Sequence, residues 1–259
     1  MSNSVDPAWL FGLDASLFNG FGQRMDVAEL PRWSNPDMPT LREGNHASVP
    51  PGAGLIPSQL VQVFDAQKQD GAQQKCIDIY GGLDDRDEIV LQMGLDRQND
   101  APIHVFHFNR DRTPAPLPNV ASIERAAPPV LAIEPRHWVD AVEQVRSGKQ
   151  PGWERDAVMA EAALEVASFY GIRLGDNAVA AIARYDFGGA SQITSLYTDK
   201  AFRKTGFGQA CLARAIHASP HRVIFGLIAG NNSAMLRIAE RAGGDLVLKD
   251  PRRRYVGAW

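Results

Sequence analysis

The chain has 259 residues, 44% of them hydrophobic and 22% charged, with a formal net charge of −3. That length holds one large domain or two smaller ones, and the near-balanced charge sets up no overall field for nucleic acid or an anionic membrane. No run approaches the 18 or so apolar residues of a spanning helix, and the N-terminal MSNSVDPAWLFG lacks the basic and long apolar regions of a secretory signal. Cys76 and Cys211 sit far apart in apolar runs and read as buried free thiols in a reducing compartment. A cytoplasmic protein is expected.

Residues 1–20 scatter Trp9, Leu10, Phe11 and Phe18 among polar residues, which fits a short helix or an ordered arm. Residues 23–30 read as a strand, and the prolines of 32–39 force extended or turn geometry. After the 49–54 loop, residues 58–69 place Leu60, Val61 and Phe64 at helical spacing, with Ser58 as N-cap. Residues 75–80 alternate as a strand, 84–95 follow as a helix with acids in its first turn, and 103–108 form another strand. Residues 111–118 hold three prolines in eight and read as a linker.

Beyond it, 129–133 predicts a strand, and 136–146 and 153–170 predict helices, the second alanine-rich. Residues 178–187 and 191–198 are strands joined by Gly188-Gly189, a hairpin signal. A glycine-rich turn follows, then a helix over 209–218, a strand over 222–228 and a helix over 233–241 closed by Gly243-Gly244. Short strands over 245–248 and 253–257 end the chain. Both halves run helix, strand, helix, strand late in their order, although no residue-level repeat is visible.

The turn Arg203-Lys204-Thr205-Gly206-Phe207-Gly208-Gln209-Ala210 carries the strongest chemical signal. A strand, a glycine-rich turn and a helix start make an anion cradle. Gly206 and Gly208 admit close backbone approach, the first N–H groups of the helix point at a phosphate, and Arg203 and Lys204 add positive charge. The plainer alternative is a glycine-softened turn with a solvated basic pair. A Rossmann reading fails because Cys211 holds the third glycine position and no acid ends the strand some 20 residues on. A P-loop fails for want of Gly-Lys-Ser/Thr.

From Ile193 onward the sequence resembles the GCN5-related N-acetyltransferase (GNAT) superfamily. The family's Arg/Gln-x-x-Gly-x-Gly/Ala motif is met by Arg203 to Gly208, and its preceding apolar-x-apolar strand end by Leu196-Tyr197-Thr198, with Thr198 in place of the usual Val. Its Asn-Ala-helix-Glu-Lys-x-Gly-Phe element is followed by Asn232 to Gly244. More faintly, Asn35-Pro36-Asp37-Met38-Pro39 and Asn45 resemble the degenerate first repeat of tandem GNAT proteins. The resemblance implies a mixed α/β (α+β, mixed-sheet) fold in tandem: a degenerate N-terminal domain over 1–110, a linker over 111–128 and an acyl-CoA-binding domain over 129–259.

It also implies the ligand and the reaction. Acetyl-CoA or another acyl-CoA would place its pyrophosphate on Arg203, Lys204, Thr205, Gly206, Phe207, Gly208 and Gln209. Its pantetheine arm would pair with the backbone of Leu196, Tyr197 and Thr198, with Asn232 binding the arm, capping the next helix, or both. The implied activity is an N-acyltransferase of the EC 2.3.1 class acting on a small-molecule amine by direct attack in a ternary complex. Variants are an acyl-phosphopantetheine donor on an acyl carrier protein and a non-catalytic acyl-CoA-binding protein. Neither metal, nucleic acid nor membrane is expected.

The chain departs from the family where protons move. Its frequent general acid, a Tyr seven residues after the Asn, is Ala239 here, and the positions of its Glu bases are Gln192, Thr194 and Leu227. Three accounts stay open: Tyr197, Tyr185, Asp186 or a His of the first half titrates; proximity supplies the acceleration; or the machinery has decayed. Other features carry less. His104 and His107, three apart on a strand, face opposite sides and would not share a metal. His217 and His221 flank a helix end. Trp153, Phe169 and Tyr170 read as core or domain-interface residues. Arg252-Arg253-Arg254 is a solvated basic turn or, less simply, an attractor for the donor's 3′-phosphate or an acidic protein.

Overall fold

A computed structural model describes residues 6–38, 41, 44–98, 102–114, 128–146 and 152–259, the side chains of 152–154 excepted. Most of the expected linker therefore lies outside the described residues, as do Pro39 and the Trp153 side chain. Helix α1 (Pro7–Phe21) leads into strands β1 (Gln23–Val27), β2 (Leu30–Ser34) and β3 (Ala47–Val49). Then come α2 (Pro57–Gln69), β4 (Lys75–Tyr80), α3 (Asp85–Gln92), β5 (Asp96–Arg97) and β6 (Ile103–Phe108). Beyond residue 128 follow β7 (Leu131–Ile133), α4 (Trp138–Arg146), α5 (Gly152–Ala163), β8 (Ala167–Leu174), β9 (Asn177–Phe187) and β10 (Ala190–Thr198). Helix α6 (Phe207–His217), β11 (Val223–Ala229), α7 (Ser233–Arg241), β12 (Gly244–Lys249) and β13 (Arg252–Gly257) close the chain.

The chain divides into two compact units, one of residues 1–105 with 229–231 and 247–259, the other of 106–228 with 232–246. Their sheets run β1-β2-β3-β4-β13-β5 and β12-β6-β11-β10-β9-β8-β7. Strand β3 runs parallel to β4 in the first, and β10 parallel to β11 in the second. On the far side of each pair lies a strand from the other end of the sequence, β13 in the first sheet and β6 in the second. Among the described residues, no helix is long and apolar enough to cross a membrane.

In the first unit, Leu30, Val49, Leu60, Val63, Ile77, Ile79 and Tyr255 form the core around β3, β4 and α2. The arginines of β13 are neither a solvated turn nor a phosphate site. Arg252 donates to Asp14 at 2.9 Å, Arg253 donates twice to Asp87, and Arg254 holds both oxygens of Asp78 at 2.7 Å. Sequence reading misses this because the acids lie far away in the chain: Asp78 faces Arg254 across the antiparallel β4–β13 ladder, while Asp14 comes from α1 and Asp87 from α3. The loop after β3 leads into a helix start unlike the one after β10. Helix α2 starts at Pro57, which has no N–H; the Ile56 N–H donates to Gln59 Oε1 at 3.0 Å, and Arg86 occupies the carbonyls of Pro50 and Ala53.

The N-cap of α2 is Ile56, not the expected Ser58, because Pro57 already takes the first helical position, and two boundaries differ more widely from expectation. The strand expected over 23–30 breaks at Ala28 and Glu29, whose positive φ of 51° and 66° makes the turn between β1 and β2. The helix expected over 153–170 stops at Ala163, and residues 167–174 pair with β9 instead. The alanine-rich run carries no glycine or proline to mark its end. Sheet pairing and burial of Phe169, Tyr170 and Ile172 decide the conformation beyond it.

In the second unit, opposite residues of the β9–β10 ladder share a face. Ala180, Ile182 and Ile193 pack on Phe207, Ala210, Cys211 and Ile216 of α6. The other face meets α4, where Trp138 stacks on Phe169 at 4.5 Å. The β9–β10 hairpin turns at Gly188 and Gly189, with φ of 56° and 77°.

Candidate functional site

The site forms where β10 leaves β11. The two strands pair in parallel only from Ala190↔Val223 to Ile193↔Gly226. On its other side β10 stays with β9 to Thr198↔Ala180, across a register shift between Thr194 and Tyr197. The shift is a bulge, with Ser195 at a φ of 50°, a conformation rare for a residue with a Cβ. Past the bulge, the edge of residues 196–198 that faces away from β9 has no strand beside it in this register. Leu196 and Thr198 face α6, and Tyr197 faces α4.

The turn to α6 is built in steps. Asp199 accepts from the Ala201 N–H at 2.7 Å and caps a short 3₁₀ turn. The Thr205 hydroxyl donates to the Phe202 carbonyl at 2.7 Å, Lys204 sits at a φ of 69°, and Arg203 Nε lies 3.4 Å from the Thr198 carbonyl. Gly206 is the N-cap in the left-handed region, φ 89° and ψ −5°, and no side chain bonds the helix start. The first amides of α6, on Phe207, Gly208 and Gln209, therefore lack intrahelical partners. A Cβ at Gly208 would come within 2.9 Å of Thr198 Oγ1, so only glycine lets the helix start sit against the strand end.

On the α4 face, Glu161 gathers three donors. Tyr185 and Ser195 donate their hydroxyls to Oε1, and Trp138 Nε1 donates to Oε2 at 3.1 Å. Glu161 is buried in line with Val158 and Leu164. The sequence analysis did not single it out. Its one signal is a carboxylate at helical spacing in an otherwise apolar stripe. Burial first, then the Glu161 charge, push the Tyr197 hydroxyl up to about 12, while Arg146, 5.5 Å from its ring centre, opposes the shift. Gln192 Oε1 is buried on this face without a hydrogen-bond partner.

The structure brings Tyr185 and Tyr197 together around Glu161 and separates Asp186 from them. Asp186 lies on the α6 face, bound by Arg184 Nη2 at 2.7 Å and by the Ser191 hydroxyl. Asn232 caps α7, accepting from the Met235 N–H at 3.1 Å. Ala239 is fully buried in the core of the unit. Both cysteines are buried and outside any disulfide, and burial pushes Cys211 up to about 12, leaving an inert thiol. His217 Nε2 meets the Thr113 and Pro114 carbonyls at 3.1 and 3.3 Å. No group of three or more His, Cys, Asp or Glu residues able to hold a metal occurs among the described residues.

No protein-family profile and no curated protein matches the sequence. Solved structures do resemble the fold. A GCN5-related N-acetyltransferase from Kribbella flavida superposes with a TM-score of 0.66 at 12% identity, covering 95% of this chain and 94% of that one. A protein assigned to the GNAT family from Novosphingobium aromaticivorans gives 0.60 at 14% identity, over 98% and 97% of the two chains. A tandem GNAT protein from the clavulanic acid biosynthesis pathway gives 0.54 at 10% identity, over 83% of this chain and 75% of that one.

Proposed function

From a chain with the GNAT fold in tandem, we propose an N-acyltransferase that moves an acyl group, acetyl by default, from a CoA thioester to a small-molecule amine. The observation that carries this reading is the departure of β10 from β11 at the Ser195 bulge, directly before a glycine-capped helix start. The residues present fit the donor. The amides of Phe207, Gly208 and Gln209, with Gly206, Thr205, Lys204 and Arg203 around them, suit a pyrophosphate. The backbone edge of Leu196, Tyr197 and Thr198 suits the two amides of a pantetheine arm, and Asn232 heads the next helix. The donor supplies the activated acyl group when bound. The α2 start differs in that its first residue, Pro57, has no N–H, and this reading puts the donor on the second unit.

Tyr197 and Tyr185 are the proposed catalytic residues. With its pKa raised to about 12, the Tyr197 hydroxyl stays protonated near neutral pH, so its role in this reading is to offer a hydrogen bond to the leaving sulfur, not to take the amine's proton. Tyr185 lies beside it through Glu161. Asp186, engaged by Arg184 on the other face, takes no step in this reading. Two buried cysteines outside any disulfide support a reducing, cytoplasmic setting.

A non-catalytic acyl-CoA-binding role is the second reading, favoured by the core alanine at 239 and by Gln192, Thr194 and Leu227 at the remaining proton-transfer positions. Thermal stabilisation by CoA, followed by thiol release from acetyl-CoA with a panel of amines, separates the two. Stabilisation with turnover supports the enzyme, and stabilisation without turnover supports the binding protein. No stabilisation by CoA, with binding of an acylated carrier protein, would move the donor to the carrier.

A further inference from the structure

We infer that Glu161 is a positioning residue for the donor groove: from α5 it clamps Ser195 at the β10 bulge and so holds the edge of residues 196–198 away from β11. This rests on the donor reading above and adds a residue outside the motifs that identified it. Glu161 lies on the α4 side of the sheet, whereas Leu196 and Thr198 face α6, so its hold on the edge of residues 196–198 runs through the Ser195 backbone.

Ser195 is the residue that needs holding. Its φ of 50° is unfavourable for any side chain and persists only where surroundings enforce it. Its hydroxyl donates to Glu161 Oε1, a charge-assisted bond in a buried setting. The same oxygen takes the Tyr185 hydroxyl from β9, and Oε2 takes Trp138 Nε1 from α4. The carboxylate is thus fixed by two further elements before it fixes the bulge. Its position matters because the bulge is where the two edges of β10 part company. Before it, β10 is shared between β9 and β11; after it, β10 keeps β9 alone. Backbone groups that would pair with β11 in a regular ladder are left for an extended ligand.

A clamp of this kind acts on the pantetheine arm and not on the pyrophosphate. The α6 start is set by Gly206 and by contacts within residues 199–206. The test is calorimetric binding of two ligands: CoA, and 3′-phospho-ADP, which is CoA without its pantetheine arm. Glu161→Ala should weaken CoA about tenfold, the equivalent of about 1.4 kcal/mol, and leave 3′-phospho-ADP within about twofold. Glu161→Gln keeps an acceptor for Ser195 but sets its amide N–H₂ against Trp138 Nε1, so its loss should fall between wild type and Glu161→Ala. Ser195→Ala should weaken CoA in the same selective way, and the double variant should lose no more than Glu161→Ala, since that variant already removes the Ser195–Glu161 bond.

Equal weakening of both ligands, or undiminished CoA binding in Glu161→Ala, overturns the clamp while leaving the donor site intact. If Glu161→Ala fails to fold, Ser195→Ala carries the same comparison. Failure of the wild-type protein to bind CoA refutes the donor reading itself and the clamp with it.

Discussion

Replacing Arg253 with Met tests the framework that keeps β13 in the first sheet. Arg253 is 1% exposed. Its Nε and Nη2 reach the two oxygens of Asp87 at 2.5 and 2.8 Å, Nη2 also reaches the Gly82 carbonyl at 2.9 Å, and Nη1 bonds the Gly81 carbonyl. Methionine fills the space of the stem and leaves Asp87 with the Tyr255 hydroxyl and the Asp84 N–H. Removing one partner of a buried ion pair costs about 3–5 kcal/mol. We take about 4 kcal/mol, because the exposed Gly82 carbonyl recovers its bond from water while the buried Gly81 carbonyl does not.

The pH dependence fixes the cause. Burial raises the Asp87 carboxyl, but bonds from Arg253, Tyr255 and the Asp84 backbone outweigh it, so the native value lies below 3.8. Such a group stabilises above its unfolded value, and the contribution is lost as pH falls through the native one. Denaturant unfolding should therefore show the full deficit at about pH 7 and a smaller one at about pH 3. A loss under about 1 kcal/mol, or a deficit that does not shrink in acid, would refute the reasoning.

Two further outcomes are expected. Gly206→Val forces a β-branched residue to a φ of 89°; it should cost about 1–2 kcal/mol and abolish the thermal shift given by CoA, and a retained shift would dissociate Gly206 from the ligand. Of five tyrosines, burial first raises Tyr80 well above 10 and Tyr197 and Tyr255 to about 12. Ultraviolet titration at about pH 11 should therefore count at most two tyrosinates in the folded protein and five in guanidinium. Raised values stabilise below about 10 and lose that contribution as pH rises through about 12, so unfolding should follow there; a third tyrosinate in the folded state would contradict the burial argument.

What the sequence made legible was local. Gly188-Gly189 specifies a hairpin because both residues take positive φ, and Gly206 with Gly208 specifies a helix start pressed on a strand end, the first through its positive φ and the second through its missing Cβ. The parts it hid depend on distant partners. Nothing near Arg252, Arg253 or Arg254 announces Asp14, Asp87 or Asp78, which arrive from α1, α3 and β4. Glu161 sits in an alanine-rich helix whose end is unmarked, and its partners are spread over α4, β9 and β10. The Ser195 bulge has no glycine to betray it. The departure at Ala239 was legible, and its burial in the core agrees with a position that handles no proton.

The donor site is the central claim, and amide chemical shifts report on it most directly. Titration of ¹⁵N-labelled protein with CoA should move the amides of Gly206, Phe207, Gly208 and Gln209 together with those of Leu196, Tyr197 and Thr198. The amides of Ser58, Gln59 and Leu60 at the start of α2 should stay in place. Shifts at α2 with none at α6, or no shifts at saturating CoA, would contradict the account.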